Sequence, residues 1–255
     1  MGKYYKYKGN VSLTTPYESE LFERDIDDIL YDRIWAARLE SLNDPNEFLY
    51  SIDEYLNKLI KGRKFLSYIV SFKTKQINEE ELNSAYKNLL DLKGSQCGIY
   101  SLSEEYNNEL MWAHYGNSHK GYCIEYEFDK IEDLELKKVN KETHLKHYDR
   151  FIKLKYEDKI PKNIDLLKSH DNFISYLSQK SINWKYEKEV RLITQTSGKY
   201  NYNPKVIKSI IFGLNCCPEI KEKIINKLKS KDISFYEIVR VKDSYTLERK
   251  LIYTF

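Results

Sequence analysis

Gly121-Tyr122-Cys123-Ile124-Glu125-Tyr126-Glu127-Phe128 alternates along its length. Tyr122, Ile124, Tyr126 and Phe128 fall on one side of an extended chain, and Cys123, Glu125 and Glu127 fall on the other. Just upstream, a helix runs to about Tyr115 and stops at Gly116, with Ser103 as its expected N-cap and Glu104 and Glu105 in its first turn. Further strands are read at 4–7, 33–39, 96–101, 186–194, 206–212, 233–241 and 249–255. Helices are read at 19–30, over much of 51–92, at 165–182, and from Pro218 with the stripe Ile220, Ile224 and Leu228. Strands recur between helices without a regular βαβ rhythm. The expected fold is therefore α+β with a mixed, largely antiparallel sheet. One domain over 1–255 is expected, with a helical insertion at about 51–93, since no low-complexity linker or repeat divides the chain.

Composition narrows the function classes. Hydrophobic residues make up 41% of the 255, enough for a core, while a net charge of +3 gives no bulk attraction to nucleic acid. The 23 tyrosines are scattered rather than grouped with arginine, which argues against a base-stacking surface. No apolar run reaches the roughly 18 residues of a membrane span, and the N-terminal residues lack the apolar core of a secretion signal. Cys97, Cys123, Cys216 and Cys217 show no CxxC spacing, so reduced thiols in a cytoplasm are expected.

Two segments concentrate chemistry-bearing side chains and are expected to frame one pocket. The first, 111–121, holds Trp112, His114, Tyr115 and His119 at a helix–loop–strand junction, where pockets form. His114 and His119 are five residues apart with a helix stop between them. That is not the helical i, i+4 pair of a zinc site, so no metal is expected. The second segment is Lys180-Ser181-Ile182-Asn183-Trp184-Lys185-Tyr186-Glu187-Lys188-Glu189-Val190-Arg191-Leu192-Ile193. Period-two geometry puts Glu187, Glu189 and Arg191 on one face. In isolation such a face reads as solvated charge; the alternative is a carboxylate held ionised by a cation. Trp112 and Trp184 are expected to border a common cleft, and the strands of Tyr7, Tyr122 and Glu189 to share a sheet. No GxSxG, Walker or GxGxxG motif is present.

Taken in order, several motifs resemble the bacterial domain-of-unknown-function family DUF2971. They are Tyr5-Lys6-Tyr7-Lys8, Leu42-Asn43-Asp44-Pro45 with Glu47, Cys97-Gly98-Ile99-Tyr100-Ser101-Leu102-Ser103, Met111-Trp112-Ala113-His114-Tyr115, His119-Lys120-Gly121-Tyr122-Cys123-Ile124, and the part of the second segment from Trp184 to Ile193. Lys8 stands where the family is expected to favour Arg. The element order also resembles the ADP-ribosyltransferase fold, and this fold-level analogy carries the functional expectation. It implies a split sheet core, NAD as substrate, Glu189 and Glu187 as catalytic carboxylates, and Tyr7, Lys8, Trp112, His114, Tyr115 and Arg191 around the cofactor. A toxin or phage-defence effector of this kind would have a macromolecular acceptor, protein or nucleic acid, and a neutralising partner. The competing readings are a non-catalytic nucleotide- or peptide-binding module and a nuclease.

Overall fold

The computed structural model describes residues 1–12, 16–44, 46–47, 84, 88, 91–92, 94–95, 97–139, 149–160 and 169–254. The helical insertion expected at 51–93 lies almost entirely outside the described residues. The chain begins with β1 (Gly2–Lys8), α1 (Pro16–Leu30) and β2 (Arg33–Ala36). It continues with β3 (Gly98–Ser103), α2 (Glu109–His114), β4 (Tyr122–Phe128), β5 (Lys137–Lys138), β6 (Arg150–Lys153) and β7 (Lys155–Glu157). Then follow α3 (His170–Leu177), β8 (Gln179–Ser181), a 3-10 turn (Ile182–Glu187), β9 (Glu189–Thr194) and β10 (Gly198–Asn201). The last elements are β11 (Ile207–Phe212), α4 (Pro218–Leu228), β12 (Ser234–Arg240) and β13 (Leu247–Thr254).

Eight strands form one sheet in the order β13-β12-β11-β4-β1-β3-β9-β6. Every neighbouring pair is antiparallel except β11 and β12, which are parallel and joined through α4. The expected α+β class and largely antiparallel sheet are thus observed, and Tyr7, Tyr122 and Glu189 lie in the same sheet. A three-stranded sheet, β2-β10-β5, and the short parallel pair β7-β8 complete the β-structure.

Alternation on the strands gives the sheet two buried faces. On the first, Tyr122, Ile124, Tyr126 and Phe128 of β4 and Val190 and Leu192 of β9 pack with Phe22 and Ile26 of α1 and Ile220, Ile224 and Leu228 of α4. The second face is covered in two patches. Met111 and Trp112 of α2 lie over Tyr5, Tyr7 and Cys123, and Phe173, Ile174 and Leu177 of α3 lie over Ile99 and Ile193. Glu189, Arg191, Ser101 and Ser103 share this second face, since Ser101 pairs with Arg191 and Ser103 with Glu189. They fall between the two helical patches.

The sheet is continuous in order but not in pairing. β1 matches β4 along its whole length, from Gly2 opposite Phe128 to Lys8 opposite Tyr122, whereas its register with β3 is the single pair Tyr5 and Ser103. A seam therefore opens between β1 and β3, and the Lys6 ammonium bridges it to the Ser101 carbonyl at 2.9 Å.

Three local readings needed correction. The helix read to 182 ends at Leu177, because Gln179–Ser181 pairs in parallel with β7 as β8. Ser103 does not cap α2: it ends β3, and its hydroxyl donates to the Glu187 carbonyl at 2.7 Å. The cap is Asn108, whose side chain accepts from the amides of Leu110 and Met111. Residues 186–188 are not strand either; the 3-10 turn ends at Glu187, and Lys188, left-handed at φ 44°, turns the chain into β9. Downstream of α2, Gly121 and Gly213 allow two backbones to approach. A Cβ on Gly121 would overlap the Lys8 carbonyl, and one on Gly213 the His119 carbonyl. Gly121→Ala is expected to lower stability by about 1–3 kcal/mol, the range for forcing extra atoms into a packed site, measured by denaturant unfolding.

Candidate functional site

A cavity of about 220 Å³ lies on the second face beside the seam, lined by residues from β1, β3, β9, the end of α2 and the turn around Asn43. Its floor is a set of buried charges. Glu187 and Glu189 converge on one ammonium: Lys180 Nζ is 2.5 Å from Glu187 Oε2 and 2.9 Å from Glu189 Oε2. Arg191 holds Glu189 through two nitrogens, Nε at 2.7 Å and Nη2 at 3.2 Å. Its Nη1 reaches Glu47 at 2.6 Å and the Leu177 carbonyl at 3.0 Å. The five side chains are between 1% and 7% exposed, so the charges have left water together. Unpaired, each would cost several kcal/mol; here each has at least one opposite charge in contact.

The backbone explains why the carboxylates meet. Glu187 ends the 3-10 turn and Glu189 begins β9, and the left-handed Lys188 between them is fixed from outside. The Glu104 amide donates to the Lys188 carbonyl, the Asn108 amide group to the Tyr186 carbonyl, and the Glu189 amide to the Tyr156 hydroxyl. The Tyr115 hydroxyl, from the C-cap of α2, donates to Glu187 Oε1 at 2.5 Å.

The two carboxyls are driven apart in proton affinity. For Glu187, burial dominates and raises the pKa above the ordinary value despite the Lys180 ammonium. For Glu189 burial acts the same way but is outweighed by Arg191 and Lys180, which hold it ionised well below the usual carboxylate range. Lys180 is destabilised by burial and more strongly stabilised by Glu189 and Glu187, so it stays charged. Across the seam, burial lowers the Lys6 ammonium to about 8. Two nearby acids with divided proton affinities are the usual signature of an acid–base pair.

Several residues expected at the site are there. Tyr7, Tyr115, Glu187, Glu189 and Arg191 all line the cavity, so both segments contribute to one pocket. The solvated-charge reading of 187–191 is overturned by the burial of all three charges. Other expectations need correction. Trp112 is fully buried in the core, its ring 5.0 Å from Tyr7 and its indole N–H donating to the Tyr106 carbonyl. Trp184 lies behind Lys180, which sits 5.1 Å from its ring centroid. Neither tryptophan lines the cavity; each backs a residue that does. His114 is exposed, and Lys8 is engaged by Asp25 at 3.3 Å; both lie outside the lining. Alternation accounts for Lys8: it points to the face opposite Tyr7. Lys6 shares that parity: its ammonium lies over the Tyr100 ring at 4.8 Å and on the Ser101 carbonyl, and the residue borders the cavity from the seam. Arg191 does line the cavity, but its guanidinium is engaged by Glu189, Glu47 and the Leu177 carbonyl. Among the described residues, no group of three or more His, Cys, Asp or Glu is placed to hold a metal ion.

Sequence reasoning missed Lys6, Lys180 and Glu47 as site residues. All three lie inside quoted segments, so position was available as a signal, but nothing local marks which lysine or glutamate borders a cavity.

The fold and the site together define an α+β protein with a buried ion cluster at a break in its main sheet. Residues 111–192 match the family model described as Protein of unknown function (DUF2971), the family that the motifs resemble. The match takes in Met111, Tyr115, Lys180, Glu187, Glu189 and Arg191, and leaves outside it the cavity walls from β1, β3 and the Asn43–Glu47 turn. No curated protein and no solved structure matches the chain.

Proposed function

We propose that the cavity is the active site of an enzyme that breaks the N-glycosidic bond of a nucleotide, with NAD as substrate, in the manner of an ADP-ribosyltransferase. The observation that carries this reading is the Glu187–Glu189 pair: two buried carboxyls joined by one ammonium and opposite in proton affinity. Glycosidic cleavage develops positive charge on the ribose, and a carboxylate that stays ionised in a dry site stabilises it. Glu189 is fixed for that role by Arg191 and Lys180. The C1′–N bond breaks with its electron pair going to the pyridinium nitrogen, which leaves as neutral nicotinamide. A new C1′–O bond forms from water or an acceptor hydroxyl, whose proton passes to Glu187. Its raised affinity for a proton suits it to that transfer. Tyr115 keeps its own proton, since burial and the neighbouring Glu187 both raise its pKa, and so it orients Glu187 as a donor.

Lys6 is suited to a substrate phosphate because it borders the cavity and its ammonium has a neutral carbonyl, not a carboxylate, as its hydrogen-bond partner. Burial disfavours its charged form, so it loses its proton as pH rises through about 8. On this reading kcat/KM for NAD falls on the alkaline side with a midpoint near 8, the free-enzyme value. In Lys6→Arg, which keeps its charge, that limb moves out of range. The primary test is nicotinamide release from NAD by the purified protein, with and without protein and nucleic-acid acceptors. Release supports the proposal, and no release under any of these conditions overturns it.

A further inference from the structure

The Asn43–Glu47 turn has no part in the chemistry above, yet it delivers a third buried carboxylate to the same cavity. The Glu47 side chain is 6% exposed, and Oε1 is taken by Arg191. Its second oxygen, Oε2, is buried and has no hydrogen-bond partner. A buried carboxylate oxygen left without a donor is costly, and most buried polar atoms in folded proteins are paired. Two hydrogen bonds to Asp44 hold the described residues that present it. The Glu47 amide donates to the Asp44 carbonyl at 2.9 Å, and the buried Asp44 accepts the Asn46 amide at 2.9 Å. Asn43 from the same turn also lines the cavity. The Arg191 guanidinium contacts both Glu47 and Glu189, and both carboxylates line this cavity, so the unpaired oxygen belongs to the wall beside the reacting bond.

We infer that Glu47 is a specificity-determining residue that accepts a hydrogen bond from a neutral N–H or O–H donor of the ligand next to the bond being broken. The inference rests on the proposed NAD chemistry. There, two groups carry that donor: the carboxamide of the leaving base and a ribose hydroxyl. An ionised carboxylate can only accept, so a ligand with a second carboxylate at this point meets charge repulsion as well as a lost hydrogen bond. A glutamine here keeps one acceptor oxygen for Arg191 and offers an N–H in place of Oε2, which reverses the preference.

The experiment compares wild type and Glu47→Gln in kcat/KM for three substrates: NAD, its analogue with a carboxylic acid in place of the carboxamide, and its analogue lacking the ribose 2′-hydroxyl on the nicotinamide side. Wild type is expected to prefer NAD over the analogue that disrupts the Glu47 contact by about 100-fold or more, as sites built around a buried polar group do. In Glu47→Gln that ratio falls by about tenfold or more, while the ratio for the other analogue stays put, which identifies the donor. Thermal unfolding of both proteins checks that the variant is folded, and Glu47→Asp, which retains the charge and shortens the reach, is expected to keep the sign of the preference. If wild type turns over NAD but both ratios are unchanged in folded Glu47→Gln, this inference is overturned alone. If wild type does not turn over NAD, the parent reading falls and this one with it.

Discussion

Glu189→Gln is expected to lower NAD turnover by about 100- to 1000-fold, the usual cost of removing one preorganised electrostatic contact from a transition state. The amide keeps the shape of the side chain and removes its charge. Sequence alone suggests that this substitution is silent for folding, because Glu189 alternates with the core residues Val190 and Leu192. The structure changes that expectation. Glu189 is buried under Arg191 and Lys180, and a neutral partner weakens two charge-assisted hydrogen bonds. A stability loss of about 1–3 kcal/mol is therefore expected as well, and turnover must be measured where both proteins are fully folded. Glu187→Gln is expected to act less on NAD hydrolysis and more on transfer to an acceptor. Nicotinamide release and denaturant unfolding on the two variants separate these effects. Wild-type turnover in folded Glu189→Gln would remove Glu189 from the chemistry.

The largest effect on stability is expected at Arg191. Its guanidinium is 1% exposed and faces two carboxylates, Glu189 and Glu47. Arg191→Met removes that shared cation, leaving Glu47 buried without its ion-pair partner and Glu189 with Lys180 alone, a change that costs about 3–5 kcal/mol when one partner of a buried ion pair is deleted. The pH dependence carries the signature. In the wild type the depressed Glu189 pKa contributes stability above the ordinary carboxylate range of about 4, and that stability is lost as pH falls toward the low folded value. The variant lacks most of this contribution. The gap between the two proteins is therefore widest near neutral pH and narrows on acidification, where protonation relieves the buried acids left short of a cation. Urea titrations at several pH values measure it, and a gap that is constant with pH would mean that Arg191 acts through packing alone.

Periodicity made much of this fold legible. The alternation at 122–128 assigned both faces of β4 correctly, the 220–224–228 stripe located α4, and the absence of βαβ rhythm pointed to an antiparallel sheet. The cap of α2 was misplaced because Ser103 and Asn108 are both good caps and only tertiary pairing decides between them: Ser103 is committed to β3 and the Glu187 carbonyl. At the site, Glu187, Glu189 and Arg191 could be read as one group, but their burial could not. It depends on Lys180 arriving from β8 and on α3 covering the neighbouring strands, neither of which period-two spacing encodes. The tryptophans misled for a related reason. A large aromatic beside polar residues signals a pocket wall or the support behind one, and only coordinates separate the two.

The seam between β1 and β3 also bears on how the molecule is made. One wall of the cavity comes from β1, at Gly2–Lys8, and the other from β9, at Glu189–Thr194, far away along the chain. Contacts between such distant segments form late and slowly, because loop closure must be met before they give anything back. Until β1 and β9 are in place, Glu187, Glu189 and Arg191 stay hydrated and ordinary in their acidity. The division of proton affinity that equips the site therefore belongs to the completed fold and to no earlier stage of it. A partly made or partly unfolded chain carries the residues of the pocket without its chemistry.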